Sequence, residues 1–203
     1  MADGGNMDRD MDLERRLDGL VEDYVRGNRA AAVLKADLDR AGTGFRPVID
    51  HLTIRTHDID RRAQEFLGAG YRFSEQLDYD DWFAKVYRRA GFPTLFIDQA
   101  FTDARGKASI IPGWVDRFGD DTLHHIAVQV EDIDLAIRRL REQGVAFAGE
   151  VIGERGGKLR QIFTAPEQRD GAPFSVLELT ERHAGYLGFS PPSADALMRS
   201  TVK

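Results

Sequence analysis

The chain writes one stretch of sequence twice. Ile49-Asp50-His51-Leu52-Thr53-Ile54-Arg55-Thr56-His57-Asp58-Ile59-Asp60 returns as Leu123-His124-His125-Ile126-Ala127-Val128-Gln129-Val130-Glu131-Asp132-Ile133-Asp134. Laying His51 on His125 puts Asp58 on Asp132, Ile59 on Ile133, Gly70 on Gly144 and Phe73 on Phe147 without a gap. An internal repeat constrains the architecture before any local propensity does. Two copies at so long a spacing point to a duplicated module, not a solenoid. Each copy opens on a histidine at the head of a strand, so the duplication can bring two equivalent imidazoles to one cavity.

Local patterning gives both modules the order strand, helix, strand, strand, strand. In the first module, residues 49–100, His51 to Thr56 is a strand. Asp58 or Asp60 caps a helix carrying Ala63, Phe66 and Leu67, which stops at Gly68 and Gly70. Strands follow at Tyr71 to Gln76, Trp82 to Arg88 and Thr94 to Ala100. The second module, residues 123–182, repeats the plan. His125 to Val130 is a strand, and Ile133 to Gln143 a helix with Leu135, Ile137 and Leu140 on its apolar side. Val145 to Val151, Leu159 to Thr164 and Phe174 to Thr180 are strands.

Residues 1–10, rich in Asp and Gly, read as a disordered tail. Residues 11–48 hold two amphipathic helices, Met11 to Arg26 and Ala30 to Asp39, that pack on the outside of the core. Residues 101–122 link the modules through a short helix, Val115 to Phe118. Residues 183–203 form a tail with a short helix capped by Ser193, placed to act as a lid. The fold class is therefore α+β: two βαβββ modules forming a curved mixed sheet around a metal cavity.

Composition narrows the chemistry. The net charge of -6 argues against a nucleic-acid binder, which shows a basic face. No run approaches a membrane span, and the acidic first dozen residues have no apolar stretch, so no signal peptide is expected and a cytoplasmic protein is. There are no cysteines, which excludes disulfides and thiolate metal sites. His, Asp and Glu remain as ligands, a set that suits Fe(II), Mn, Co, Ni or Zn.

Residues two apart in a strand share a face. His51, Thr53 and Arg55 face one way, with Leu52 and Ile54 opposite. His125, Ala127 and Gln129 face one way, as do Val176, Glu178 and Thr180. The apolar faces belong under the helices. The polar faces then line the concave side, where His51, His125 and Glu178 can meet as a two-histidine, one-carboxylate triad. A carboxylate between Leu177 and Leu179 is costly to bury without a partner. His124 competes with His125; His125 is preferred because it matches His51 in the repeat. His57 and His183 read as surface residues. Arg55 points into the same cavity, its Cα about 13 Å along the strand from that of His51. It either grips a substrate carboxylate or pairs with Asp98. Gln161, opposite in face to Arg160, either donates to a substrate oxygen or ties neighbouring strands together. Asp98, in Phe96-Ile97-Asp98, takes the place that Glu178 has in Val176-Leu177-Glu178. As a fourth ligand it would shift the chemistry toward Lewis-acid catalysis.

With this order of elements and the His-His-Glu pattern, the chain resembles the vicinal oxygen chelate superfamily. His125-Ile126-Ala127, Leu159-Arg160-Gln161-Ile162-Phe163-Thr164 and Val176-Leu177-Glu178-Leu179-Thr180-Glu181-Arg182 are similar to the catalytic half of 4-hydroxyphenylpyruvate dioxygenase. The lead-in helix, Asp50-His51-Leu52-Thr53-Ile54-Arg55-Thr56, Gly70-Tyr71 and Trp82-Phe83-Ala84-Lys85-Val86-Tyr87 resemble the 2-oxoadipate dioxygenase/decarboxylase family. The resemblance implies Fe(II) held by His51, His125 and Glu178, with Arg55 on a substrate carboxylate. It implies oxidation of a 2-oxo acid by O2 with loss of CO2. The chain is shorter than either family, and the aromatic pair that clamps a phenyl ring is not found, so an aliphatic or otherwise modified 2-oxo acid is expected. Oxidation within one molecule and use of a separate 2-oxo acid co-substrate both stay open, as does pairing into a homodimer. Two rivals remain: a metal-dependent epimerase or lyase of the same fold, and a non-catalytic protein that binds a small ligand.

Overall fold

A computed structural model describes residues 4–189, with side chains from residue 10 onward. Helices α1 (Gly4–Gly27) and α2 (Arg29–Arg40) lead into strand β1 (Ile49–Arg55). The first module continues with α3 (Ile59–Gly68), β2 (Arg72–Asp78), β3 (Trp82–Arg88) and β4 (Thr94–Ala100). Helix α4 (Ile111–Phe118) precedes β5 (Leu123–Gln129). Then come α5 (Ile133–Glu142), β6 (Phe147–Ile152), β7 (Leu159–Thr164), β8 (Glu167–Arg169) and β9 (Ala172–Arg182). The strands form one mixed α+β sheet in the order β2-β3-β4-β1-β5-β9-β7-β6, with β8 paired to β9.

The duplication is visible in the pairing. β1 runs parallel to β4 and β5 parallel to β9, and the two modules meet where β1 and β5 pair antiparallel. Helix entry is built the same way twice. The Asp58 carboxylate accepts from the Arg61 amide, and Asp132 from the Leu135 amide. Gln99 accepts from the Ile59 amide at 2.8 Å, and Glu181 from the Ile133 amide at 2.7 Å. Both helices exit through a glycine at positive φ, Gly70 at 91° and Gly144 at 79°.

The alternation sorts the two faces of the sheet. Leu52, Ile54, Ile126, Val128, Leu177 and Leu179 are buried in one core with Leu17, Leu20 and Tyr24 of α1, Phe66 of α3 and Ile137 of α5. Burial of each such side chain stabilises the fold by about 1.5–3 kcal/mol. Asn28 joins α2 to β9: its Oδ1 accepts from the Ala31 amide while its Nδ2 donates to Ser175 Oγ.

Three features depart from the sequence reading. Helix α1 begins at Gly4, where a disordered tail through residue 10 was expected. Its early turns are tied down by the carboxylate of Asp10, which accepts from Arg89 beyond β3. Helix α4 starts at Ile111 and is more than a connector. Ile111, Trp114 and Val115 pack with Trp82, Val86, Phe96 and Phe174 in a second apolar cluster on the concave side. Strand β9 begins two residues before Phe174 because the short β8 hairpins back onto it. The helix expected after Ser193, and its lid role, lie outside the described residues. Among the described residues no helix is long and apolar enough to cross a membrane.

Candidate metal centre

The concave face brings His51, His125 and Glu178 together. One candidate ligand atom from each lies within 4.8 Å of the others, and all three residues are buried. Glu178 Oε2 is 3.4 Å from Nε2 of both histidines. Every one of these groups is aimed by a neighbour. Asp50 Oδ2 accepts from His51 Nδ1 at 2.8 Å, which turns Nε2 toward Glu178. Arg182 in turn grips Asp50 with two hydrogen bonds of 2.7 and 2.9 Å. Gln161 Nε2 and Thr180 Oγ1 both donate to Glu178 Oε1, at 2.5 and 2.9 Å. With Oε1 so occupied, Oε2 is the oxygen left for a cation. Gln161 therefore holds a neighbouring carboxylate, which ties β7 to β9. Thr53 Oγ1 lies 2.8 Å from His125 Nε2.

This donor set fits a divalent metal: two imidazoles and one carboxylate in a buried pocket, with outer hydrogen bonds that fix ring orientation and ligand oxygen. The electrostatics agree. Burial opposes a charge on His51, but Glu178 and Asp50 outweigh it and raise its pKa to about 9. Burial also works against the Asp50 carboxylate, and the hydrogen bonds from His51 and Arg182 still hold its pKa well below the usual range. His125 is kept neutral by burial, then by His51 and Arg55. Metal binding at neutral pH is thus expected to expel about one proton, from His51, and to strengthen with pH up to about 9. Calorimetry in buffers of different ionisation enthalpy reads that proton directly; binding heat independent of buffer would refute the assignment.

The strand register corrects the place given to Asp98. His51 pairs with Thr94 in the first module, and His125 with Val176 in the second. Counting from these, the counterpart of Glu178 is Phe96, and Asp98 corresponds to Thr180. The Phe96 ring packs on His51 with centroids 4.7 Å apart. An apolar ring thus fills the position where a fourth ligand would stand. Asp98 lies opposite Arg55 instead. Burial pushes its carboxyl up to about 7, with Arg55 and His51 pulling the other way.

Beside the triad, on the Arg55 side, a cavity of about 250 Å³ opens. Trp114, Phe118 and Phe174 wall it, and Arg55, His124 and Ser175 add polar groups. The Arg55 guanidinium lies 5.3 Å from the Trp114 ring centre. Arg55 stands opposite Asp98 in the strand register and also lines the cavity. This wall is aromatic. Trp114 and Phe174 are parallel rings, centroids 6.0 Å apart, brought together from the linker and β9. On the His51 side, the last described residues cross the centre. Phe189 packs edge-on to His51 and Phe96, while Arg88 and Arg182 donate to the carbonyls of Leu187 and Gly188. His57 and His183 lie outside the centre, paired with Asp116 and Glu181.

The architecture has solved counterparts. Hydroxyglutarate synthase from Oryza sativa, in complex with 2-oxoadipate, superposes with a TM-score of 0.77 at 17% identity over 96% of this chain and 93% of its own. A variant of 4-hydroxymandelate synthase from Streptomyces coelicolor gives 0.63 at 22% identity over 78% of this chain and 55% of its own. Methylmalonyl-CoA epimerase from Mycobacterium tuberculosis gives 0.52 at 22% identity over 69% and 91%. No curated protein matches the chain. These likenesses concern the fold, whose members bind divalent metals and small-molecule substrates. Residues 50–163 match the model of the Glyoxalase/Bleomycin resistance protein/Dioxygenase superfamily, and the chain belongs to that family.

Proposed function

We propose that the protein is an Fe(II)-dependent dioxygenase that acts on a 2-oxo acid. With O2, the substrate loses its carboxyl group as CO2. One oxygen atom enters the new carboxyl group, and the other becomes a hydroxyl on the remaining carbon chain. The observation that carries this reading is Phe96 at the counterpart of Glu178. Three protein ligands leave three positions for a two-point chelating substrate and O2. A fourth carboxylate would favour the Lewis-acid isomerases and lyases.

When bound, the metal would supply chelation of the keto acid and activation of O2. The chain's own residues supply the rest. Gln161 and Thr180 keep one oxygen of Glu178 occupied, so the other is presented to the cation. Phe96 and Phe189 keep water from the His51 side. Trp114, Phe118 and Phe174 give the substrate an apolar passage, and Arg55 meets its far end. A planar guanidinium suits a second carboxylate through two parallel hydrogen bonds. The likeness to an enzyme solved with 2-oxoadipate, a 2-oxo acid carrying a second carboxylate, supports the same choice.

The test is O2 uptake and CO2 release by the Fe(II)-loaded protein with 2-oxoadipate, 2-oxoglutarate and phenylpyruvate. Equal amounts of O2 consumed and CO2 released are expected. Turnover without O2 in the presence of Co(II), Mn(II) or Zn(II) would instead make it an epimerase or lyase. Arg55→Lys keeps the charge but loses the fork. It is expected to raise KM for the dicarboxylic substrate about tenfold or more, since a charged hydrogen bond is worth about 1.5–3 kcal/mol, with kcat nearly unchanged. An equal effect on phenylpyruvate would show that Arg55 does not read the second carboxylate.

A further inference from the structure

The pairing of β1 with β5 has two irregularities, and each falls immediately before a histidine of the triad. Ile49 pairs with Val128 and His51 with Ala127, which leaves Asp50 as an extra residue. Thr53 pairs with His125 and Ile54 with Leu123, which leaves His124 as another. A bulge breaks the alternation and re-aims the extra side chain. Asp50 and His124 are equivalent in the repeat. Both are turned toward the histidine that follows: Asp50 Oδ2 to His51 Nδ1 at 2.8 Å, and His124 Nδ1 to His125 Nδ1 at 2.9 Å.

Two imidazole nitrogens at that distance share one proton, because two N–H groups would clash and two lone pairs would repel. The inference rests on the reading of His125 as a metal ligand. Its Nε2 is the atom near Glu178, so Nε2 must be bare and the proton sits on Nδ1. His124 Nδ1 is then the acceptor, and the proton of His124 is on Nε2. That nitrogen makes no hydrogen bond among the described residues, and His124 lines the Arg55 cavity. In the first module the far side of Asp50 is held by Arg182. In the second, the far side of His124 faces the space where substrate would lie.

We propose that His124 is a positioning residue of the metal centre. It does for His125 what Asp50 does for His51, and it presents an Nε2–H donor to the substrate cavity. The repeat thus supplies a ligand and its orienting partner as one unit, an acceptor followed by a histidine, twice.

The experiment uses the full chain loaded with Co(II), competed against a chromophoric chelator. His124→Phe keeps a ring but removes the acceptor, and is expected to weaken Co(II) binding about 10–100-fold. His124→Asn puts an amide oxygen where Nδ1 stood and is expected to restore most of that loss. A Phe variant that binds as wild type, or an Asn variant as weak as the Phe one, overturns the proposal. A second measurement needs no variant: long-range ¹H–¹⁵N spectra of the Zn(II)-loaded wild type should show His125 protonated on Nδ1 and His124 on Nε2. The reverse pattern overturns it. Wild-type protein that binds neither Co(II) nor Zn(II) would bring down the reading of the metal centre itself. Tight wild-type binding with an indifferent His124 would bring down this inference alone.

Discussion

Glu178→Gln is expected to remove metal binding and O2 uptake together while leaving the fold intact. The substitution keeps size and shape but deletes the charge, the one anionic ligand of the triad. The new amide also offers a donor where Oε2 stood, 3.4 Å from Nε2 of both His51 and His125. Those lone pairs would then be satisfied by a hydrogen bond and no longer be available to a cation. Gln161 and Thr180 hold Oε1 by donating to it, which forces the amide nitrogen to the histidine side. Loss of an outer hydrogen bond costs about 10–100-fold in metal affinity, so loss of a ligand together with competition for the other two should exceed 100-fold. Metal content after dialysis, O2 uptake and a thermal melt read the three consequences. Stoichiometric metal in the variant would show that Glu178 is not a ligand. A collapsed melt would show that the carboxylate acts in folding instead.

What the sequence made legible follows from what alternation can encode. Leu52, Ile54, Leu177 and Leu179 lie under helices, and His51, Arg55 and Glu178 on the other face, because one side of each strand must be covered by α1, α3 and α5. The repeat paired His51 with His125 before any contact was known. Arg160 and Gln161, adjacent in β7, fall on opposite faces as expected: Arg160 reaches Asp134 and Glu181, Gln161 reaches Glu178. Alternation assigns a face but not a row. The row of Asp98 depends on how β4 registers against β1, which is set by the intervening hairpin, so Asp98 was matched to Glu178 when Phe96 holds that row. Alternation also assumes an unbroken ladder. His124 should have faced the core, and the bulge turned it to the cavity. The aromatic wall was hidden for a third reason. Trp114 and Phe174 are far apart in sequence, and only the crossing of α4 over the concave face joins them; Trp114 Nε1 donates to the Phe174 carbonyl at 2.8 Å. Long-range packing of this kind leaves no local pattern.

The row occupied by Phe96 leads to the second large effect. Phe96→Glu is expected to turn a three-ligand centre into a four-ligand one, with loss of oxygenase turnover and a metal-dependent fold. Without metal the cost is twofold. Removing the ring from its contacts with His51 and Phe189 and from the α4 cluster costs about 3–5 kcal/mol. A second carboxylate would also stand buried near Glu178, where an unpaired charge adds further destabilisation. A divalent cation held by both carboxylates reverses this. At a free concentration of about 1,000 times Kd, binding returns about 4 kcal/mol, comparable to the packing loss. The melting temperature of the variant should therefore be low without metal and rise steeply with Zn(II) or Ni(II), more than that of the wild type. A Co(II) spectrum should report the added oxygen ligand. O2 uptake should fall by at least about 100-fold, since a position needed by the chelating substrate or by O2 is taken. Asp98→Asn is the control: its row is that of Thr180, so Co(II) affinity and spectrum should stay as in the wild type. If Asp98→Asn instead weakens metal binding while Phe96→Glu gains nothing from metal, the fourth row is wrongly placed. The three-ligand argument for dioxygenase chemistry would then fail with it.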